Sequence, residues 1–413
     1  MKMNYGLCYM GSKSAFSNEI IDILPKKKHF YDLFHGGGAV THSAILSKKY
    51  DVIIANDINP MIQSLLINSI KGLYDNRMEW VSRERFCSEK DSDEFIKYLW
   101  SFSAKGTQYL YAKEIEPLKK AVFYARNFND VSLFAEMGIK TDGSSLDLLY
   151  NEKDYINKYV KYYTKTFLKK ELSLDDVSHE VEKYNKMLTK ESEKLREYLV
   201  DGLKKANKRA CDVDRFLGTN GMAGHYFGRS QWKFPTFDVY SKLKDYLNLP
   251  KEYNEFFRTN AFVQRIATLK QLKKINKINR IDFINRIDFN SRFSRVKELE
   301  KLDGNFDNIL SFYLGDYRKV PIEKDSVIYC DIPYENTESY ETDFNHAEFF
   351  DWCTKQSELV VISSYNMPKN RFTEVFKRPL NRGLGGGKIV YEKMFVPNHQ
   401  IDLWNESNTE FLF

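Results

Sequence analysis

The chain has 413 residues, 42% hydrophobic and 15% aromatic, and a formal net charge of +6 with a pI near 8.7. That composition is ample for a sizeable core in one large domain or two ordinary ones, with only a mild bias toward polyanions. No apolar run approaches the roughly 18 residues of a membrane span, and the opening MKMNYGLCYMGSKS lacks the apolar core of a secretory signal. The five cysteines, at 8, 87, 211, 330 and 353, form no CxxC pair, which excludes a disulfide framework and suits reduced thiols, most of them buried. The expectation is a soluble, cytoplasmic protein.

In chain order, FYDLF (30–34) reads as a short strand, and HGGGAVTHSAILSKK (35–49) turns through three glycines into a helix. DVIIAND (51–57) is a second strand ending in an acid. INPMIQSLLINSI (58–70) is a second helix with Pro60 in its first turn, where proline is tolerated. Strand–helix–strand–helix implies a parallel sheet. The same alternation returns in NILSFYLGD (308–316), SVIYCD (326–331), NHAEFFDWCTKQ (345–356) and ELVVISSYN (358–366), and KIVYEKMFV (388–396) alternates like a last, antiparallel strand. GLGGGK (383–388) reads as a flexible turn before it.

Between the two α/β portions, 1–70 and 305–413, lies a different texture over 71–304. Within it, 173–205 is a helix: Ser173 with Asp176 makes a capping box, and Val177, Val181, Tyr184, Leu188, Leu195, Leu199 and Leu203 fall on one face. The Gly-rich, aromatic stretch 218–234 is expected to be a mobile loop or hairpin. From 269 to 289 Leu or Ile recurs every third residue, a spacing that would carry the stripe around an α-helix. Either that helix is buried on several sides or the segment is not one regular helix.

Two places carry chemistry. The turn FHGGGAV (34–40) lets backbone approach a ligand closely. Asp57, 19 residues after Gly38, is placed to bind ribose hydroxyls. The turn alone is compatible with a nicotinamide, a flavin, S-adenosylmethionine or no ligand, although Thr41 stands where the dinucleotide fingerprint has its third glycine. The second place is Asp331, Ile332, Pro333 and Tyr334 at the mouth of a hydrophobic strand. These residues suit a plain turn or a catalytic loop at the carboxyl edge of a parallel sheet.

Taken together and in order, the motifs resemble those of the Dam-like, α-group N6-adenine DNA methyltransferases, phage-type members included. YMGSK (9–13), FHGGGAV, ANDINP (55–60), GDY (315–317) and DIPY (331–334) follow the family's sequence of motifs. FNHAEFFDWC (344–353) and VVISSYN (360–366) resemble the motifs that come after. The likeness covers both α/β portions and implies a Rossmann-like class I methyltransferase sheet with a large, mainly helical target-recognition insert at 71–304. Two positions depart from the pattern: Ile332 replaces the first proline of the usual Asp-Pro-Pro-Tyr, and His35 stands where a small residue is commoner.

The resemblance implies S-adenosylmethionine as cofactor. Tyr9, Lys13, Phe34, Gly36, Gly37, Gly38, Asp57, Asp316 and Tyr317 would then surround it, with Asp57 on the ribose and Asp316 near the cofactor's adenine. Adenine's exocyclic amine is a poor nucleophile because its lone pair is delocalised into the ring. The Asp331 carboxylate and the Ile332 carbonyl would accept its two hydrogens, a charge-assisted arrangement that favours a pyramidal nitrogen. Tyr334 would stack on the flipped base, and Pro333 would stiffen the loop. Ile332 supplies the same carbonyl a proline would, so activity is expected to survive the replacement.

The expected partner is double-stranded DNA. Residues 269–297 hold nine Lys or Arg against two Asp, a local charge of +7. Lys270, Lys273, Lys274, Lys277 and Arg280 are the candidates for phosphate contacts. Asn220, Arg229 and Gln231 are side-chain types that read base edges. His225 and His346 have no ligand partners at metal spacing, so no metal is expected. Rival readings are an N4-cytosine DNA methyltransferase, often with Ser in place of Asp331, and a catalytically silent DNA-binding protein regulated by S-adenosylmethionine. Cytosine C5 chemistry is excluded because no proline precedes a cysteine. A monomer or weak dimer is expected, and a restriction endonuclease partner is left open.

Overall fold

The computed structural model describes residues 5–141, 154–228, 232–253, 260–277, 288–302, 309–333, 344–380 and 390–409. The chain forms two compact units, residues 1–111 with 287–413 and residues 112–286.

The first unit begins with helix α1 (Ser17–Ile23), strand β1 (His29–Asp32), helix α2 (Ala39–Ser47), strand β2 (Val52–Asp57), helix α3 (Pro60–Ile70) and helix α4 (Glu94–Leu99). Asn59 caps α3 by accepting the N–H groups of Met61 and Ile62, with Pro60 at the first helical position. The second unit is helical and includes α5 (Leu174–Lys205), α6 (Ala223–Phe227) and α7 (Asn260–Lys277). The chain then returns to the first unit with α8 (Asp288–Glu300), β3 (Leu310–Leu314), β4 (Ser326–Asp331), α9 (His346–Cys353), β5 (Leu359–Ser364), β6 (Phe372–Leu380) and β7 (Val390–Pro397).

The seven strands form one sheet in the order β3-β2-β1-β4-β5-β7-β6. β1 to β5 are parallel, and β7 runs antiparallel to both β5 and β6. All six residues of β5 and the first five of β4 are buried, as a parallel sheet covered on both faces requires. β6 was not legible in the sequence. It carries a register shift between Glu374 and Phe376 and holds Pro379, so neither its alternation nor its composition reads as a strand. Proline fits there because β6 lies on the sheet's edge.

The order reverses at β1: one connection leads outward to β2, and the other side is taken by β4. Ligands of open α/β sheets bind at the carboxyl end of such a switch point. Asp32 pairs in register with Ala55 of β2 and Tyr329 of β4. Asp57 and Asp331 therefore extend two residues beyond Asp32 along the two neighbouring strands. Three aspartates end three adjacent strands at the same edge.

The segment after α3 belongs to the first unit as far as Tyr111, inside the stretch read as insert. Here α8 packs on α3 and α4. Phe289 stacks on Trp100 at 4.5 Å, and the buried Arg292 donates to the carbonyls of Tyr98 and Leu99 at the end of α4 and of Ser101 beyond it. A cation satisfying the last carbonyls of a helix is favourable.

In the second unit, the Ser173–Asp176 capping box is present, and Val177, Val181, Leu195 and Leu199 of α5 are buried. Leu195 and Leu199 share a core with Ala223, Tyr226 and Phe227 of α6 and with Tyr240, Leu243 and Leu247. The expectation of a loop or hairpin over 218–234 is therefore corrected at Ala223–Phe227, while 218–222 and 232–234 carry no helix or strand. Its described part holds a short helix whose aromatic residues are core. Of the three-residue repeat, Leu269, Leu272 and Ile275 are buried on α7, and 278–287 fall outside the described residues. Among the cysteines, Cys330 and Cys353 are buried whereas Cys87 and Cys211 are exposed and Cys8 is intermediate, so burial is not the majority state expected.

Candidate active site

The site is built around the turn after β1. Gly36 and Gly38 have φ of +49° and +69°, in the left-handed region that favours glycine. The N-terminal segment lies against this turn: Leu7 donates its N–H to the Gly37 carbonyl at 2.7 Å, and Gly6 donates to His42 Nδ1 at 3.0 Å. A Cβ on Gly37 would come within 2.8 Å of Tyr9 Cβ, and one on Gly36 within 3.2 Å of the Tyr9 ring. The glycines are required by the approach of Tyr9 as well as by the turn.

Asp57 holds the turn from the other side. One carboxylate oxygen accepts the Gly36 N–H and the other accepts the Asn59 N–H, both at 2.8 Å. Each oxygen retains acceptor capacity for a hydroxyl. Asn56 donates to the carbonyls of Leu33 and Gly315, locking the ends of β1 and β3 to β2.

A cavity of about 760 Å³ opens over these strand ends. Tyr9, Lys13, Phe34, Gly36, Gly37, Asp57, Asp331 and Pro333 line it, as does Asp32. Lys97, Tyr98, Lys105 and Thr107 form a further wall, and Tyr98 is fixed by accepting a hydrogen bond from Asn59 Nδ2 at 2.9 Å. Gly38 caps α2 beside this lining.

Asp32 is 1% exposed. Its Oδ2 accepts the Thr41 hydroxyl at 2.7 Å, while its Oδ1 has no hydrogen-bond partner among the described residues. Burial pushes its pKa up to about 7. The Thr41 hydrogen bond opposes that rise, and the charges of Asp331 and Asp57 add to it.

At the end of β4, Lys13 Nζ sits 2.7 Å from Asp331 Oδ1 and 3.5 Å from Glu392 Oε1. Pro333 is held by His346, whose Nε2 donates to its carbonyl at 2.8 Å. The Ile332 side chain is 2% exposed and belongs to the core cluster under β4, β5 and α9, and Ile332 is not among the residues that line the cavity.

Asp316 and Tyr317 do not line the cavity. Asp316 caps the turn Tyr317–Lys319 and is gripped by Arg318, at 2.6 Å in the shortest contact. Tyr317 packs 5.2 Å from the Phe34 ring. Asn220 is exposed. Lys270 and Lys274 are exposed on α7, on the side away from Leu269, Leu272 and Ile275, and Lys273 is half-buried, one helical turn on from Leu269. Tyr334, Arg229, Gln231 and Arg280, and the side chain of Lys277, lie outside the described residues. The +7 stretch is not all available to a polyanion. Arg292 is buried on backbone carbonyls, Arg295 reaches Ser14, and Lys297 pairs with Asp75 and Glu300.

Four residues of this site were not singled out in the sequence: Asp32, Tyr98, His346 as a support for the loop, and Glu392. Asp32 had a signal in its place at a strand end. Glu392 had another, since it is a carboxylate sharing the inward parity of Met394 and Val396 in an alternating strand.

A sheet of this order with its glycine turn, acidic strand ends and cavity at the switch point defines a Rossmann-like methyltransferase. Residues 9–200 match the family model of the D12 class N6 adenine-specific DNA methyltransferases. The chain thus carries a D12 class domain and is an adenine-specific DNA methyltransferase, acting on adenine N6. No curated protein matches it. The matched residues stop short of β4, so Asp331 is placed beside the matched glycine turn by the sheet itself.

Proposed function

We propose that the cavity at the carboxyl edge binds S-adenosylmethionine and that Asp331 and the Ile332 carbonyl receive the amine of a flipped adenine next to it. The observation that carries this is the convergence of Asp32, Asp57 and Asp331 on one cavity closed by Tyr9 and Lys13. The residues fit a cationic cofactor: Asp32 offers a buried carboxylate oxygen lacking a partner, and Asp57 offers hydroxyl acceptors.

When bound, the cofactor supplies an electrophilic methyl group on a sulfonium. The chain's own residues do the rest. Asp57 orients the ribose, and Asp32 favours the positive charge. Asp331 Oδ atoms and the Ile332 carbonyl hydrogen-bond the two amine hydrogens, which localises the nitrogen lone pair toward the methyl. The Asp331 carboxylate would stabilise the positive charge that develops on N6 as the methyl's bond passes from the sulfonium sulfur, left as a neutral thioether, to the nitrogen, and it would accept one N6 proton. Lys13 holds that carboxylate in place, and alignment accounts for much of the rate. Tyr334 stacks on the base.

In this reading residues 112–286 recognise the target. Lys270, Lys273, Lys274, Lys277 and Arg280 hold phosphates, and Asn220, Arg229 and Gln231 contact base edges. The enzyme works on double-stranded DNA in the cytoplasm as a monomer or weak dimer, and a restriction endonuclease partner would share its target site. No helix among the described residues is long and apolar enough to cross a membrane.

The test is incubation of the protein with labelled S-adenosylmethionine and unmodified plasmid DNA, followed by nucleoside analysis. N6-methyladenine is expected. Label confined to N4-methylcytosine, or no binding of the cofactor by calorimetry, overturns the reading.

A further inference from the structure

Glu392 lies on β7, away from every motif that identifies the reaction, yet it reaches the reacting carboxylate through one residue. It is 2% exposed and accepts the Ser363 hydroxyl at 2.7 Å. Ser363 on β5 pairs in register with Asp331 on β4 and with Met394 on β7. Asp331 and Ser363 thus lie side by side, and Glu392 sits two residues along β7 from Met394, the residue opposite Ser363. Lys13, itself 6% exposed, places its ammonium 2.7 Å from Asp331 and 3.5 Å from Glu392.

An ammonium in sole contact with Asp331 would orient it but also weaken it as an acceptor, because its positive charge opposes the charge developing on the amine. A second carboxylate on the same ammonium offsets that. With both acids ionised, one lysine and two carboxylates carry a net charge of −1, with the Asp32 carboxyl and the buried Tyr329 hydroxyl as the neighbouring titratable groups, and the Ser363 hydrogen bond fixes where Glu392 sits. We propose that Glu392 is a positioning residue for methyl transfer. It shares Lys13 with Asp331 and so keeps Asp331 a strong acceptor while Lys13 holds it still. The inference rests on the role proposed for Asp331 above.

The test compares wild type, Glu392→Gln, Lys13→Gln and the double variant in single-turnover transfer from S-adenosylmethionine to unmodified plasmid DNA across pH. Glu392→Gln is expected to slow transfer about 10- to 100-fold while cofactor affinity by calorimetry stays within about threefold. Removing the negative charge favours ionised Asp331, so the acid limb of the rate profile should move to lower pH. Because Glu392 acts through Lys13, the double variant should be no slower than Lys13→Gln alone. An acid limb that does not move, or losses that multiply, overturns the proposal and leaves Glu392 a structural counter-ion. Should Glu392→Gln fail to fold, Ser363→Ala is read instead, since it keeps the charge and releases its orientation; an unchanged rate there overturns the proposal equally. Wild-type protein that makes no N6-methyladenine sinks the functional reading itself, whereas an active wild type with an insensitive Glu392→Gln sinks this inference alone.

Discussion

Asp57 and Asp331 each end a strand flanking β1, and their surroundings assign them different work. Both Asp57 oxygens are tied to backbone N–H groups of the turns beside the cavity, so Asp57→Ala loses an acceptor and also loosens the glycine turn. Cofactor affinity should fall about 10- to 100-fold, or ~1.4–3 kcal/mol. Unchanged affinity in calorimetry would remove Asp57 from the site. Asp331 is paired to a lysine that keeps a second partner in Glu392. Asp331→Ala should therefore fold, bind cofactor nearly as well as wild type, and lose about a thousandfold or more of the transfer rate, ~4 kcal/mol of barrier. Turnover close to wild type would rule out the acceptor role. At the next position, burial of the Ile332 side chain in the core means that Ile332→Pro keeps the carbonyl and trades one apolar packing for another. Transfer within about tenfold of wild type is expected, and a loss of several orders of magnitude would show that the side chain sets the loop's geometry.

Single elements differ in how far their sequences announce them. α5 was legible from its capping box and its apolar stripe, because a long helix with one buried face repeats its signal over many turns. β4 and β5 were legible as unbroken apolar runs. By contrast, α6 has five residues, too few for periodicity, and its glycine and aromatics read as a loop until packing against α5 is known. On α7 the stripe of Leu269, Leu272 and Ile275 is buried while Lys270 and Lys274 face solvent. That geometry suits a helix anchored on one side and charged on the other. The double variant Lys273→Ala with Lys274→Ala should lower the slope of log affinity against log salt by about 0.9 for each phosphate no longer neutralised, and it should do so for matched and scrambled duplexes alike. An unchanged slope would make the lysines a solvated face, and a loss confined to the matched duplex would make them readers of bases.

At the scale of the molecule, two buried groups give the sheet-bearing unit opposite responses to pH. Asp32 holds its proton up to about 7, against an ordinary carboxylate value of 3.8. The folded state therefore binds a proton that the unfolded chain has released. Stability is lost as pH rises through that window, on the order of 4 kcal/mol. His42 is lowered from 6.5 to about 4 by burial, and it must be neutral to accept the Gly6 N–H. Its contribution is present above 6.5 and is lost as pH falls toward 4, on the order of 3 kcal/mol. The two slopes oppose each other in the wild type. Asp32→Asn should remove one of them, so that the unfolding temperature of this unit by calorimetry rises more steeply between pH 4 and 7 than in the wild type. A variant with the wild-type profile would show that Asp32 titrates normally.

By itself the sequence determined the parallel sheet, the glycine turn, the acids at the strand ends and, through the order of its motifs, adenine methylation. Those signals are local: a strand's apolar run, a turn's glycines and a carboxylate at a strand end are set by residues adjacent in the chain. Tertiary structure decided what depends on residues far apart in it. Residues 71–111 and α8 joined the sheet-bearing unit because Arg292 and Phe289 find their partners around Trp100, which no local pattern encodes. Arg292, Arg295 and Lys297 left the basic patch for partners elsewhere. The grouping of Lys13, Asp331, Ser363 and Glu392 exists only because the sheet order sets β4, β5 and β7 side by side, and the burial of Lys13 and Glu392 is what strengthens their attraction.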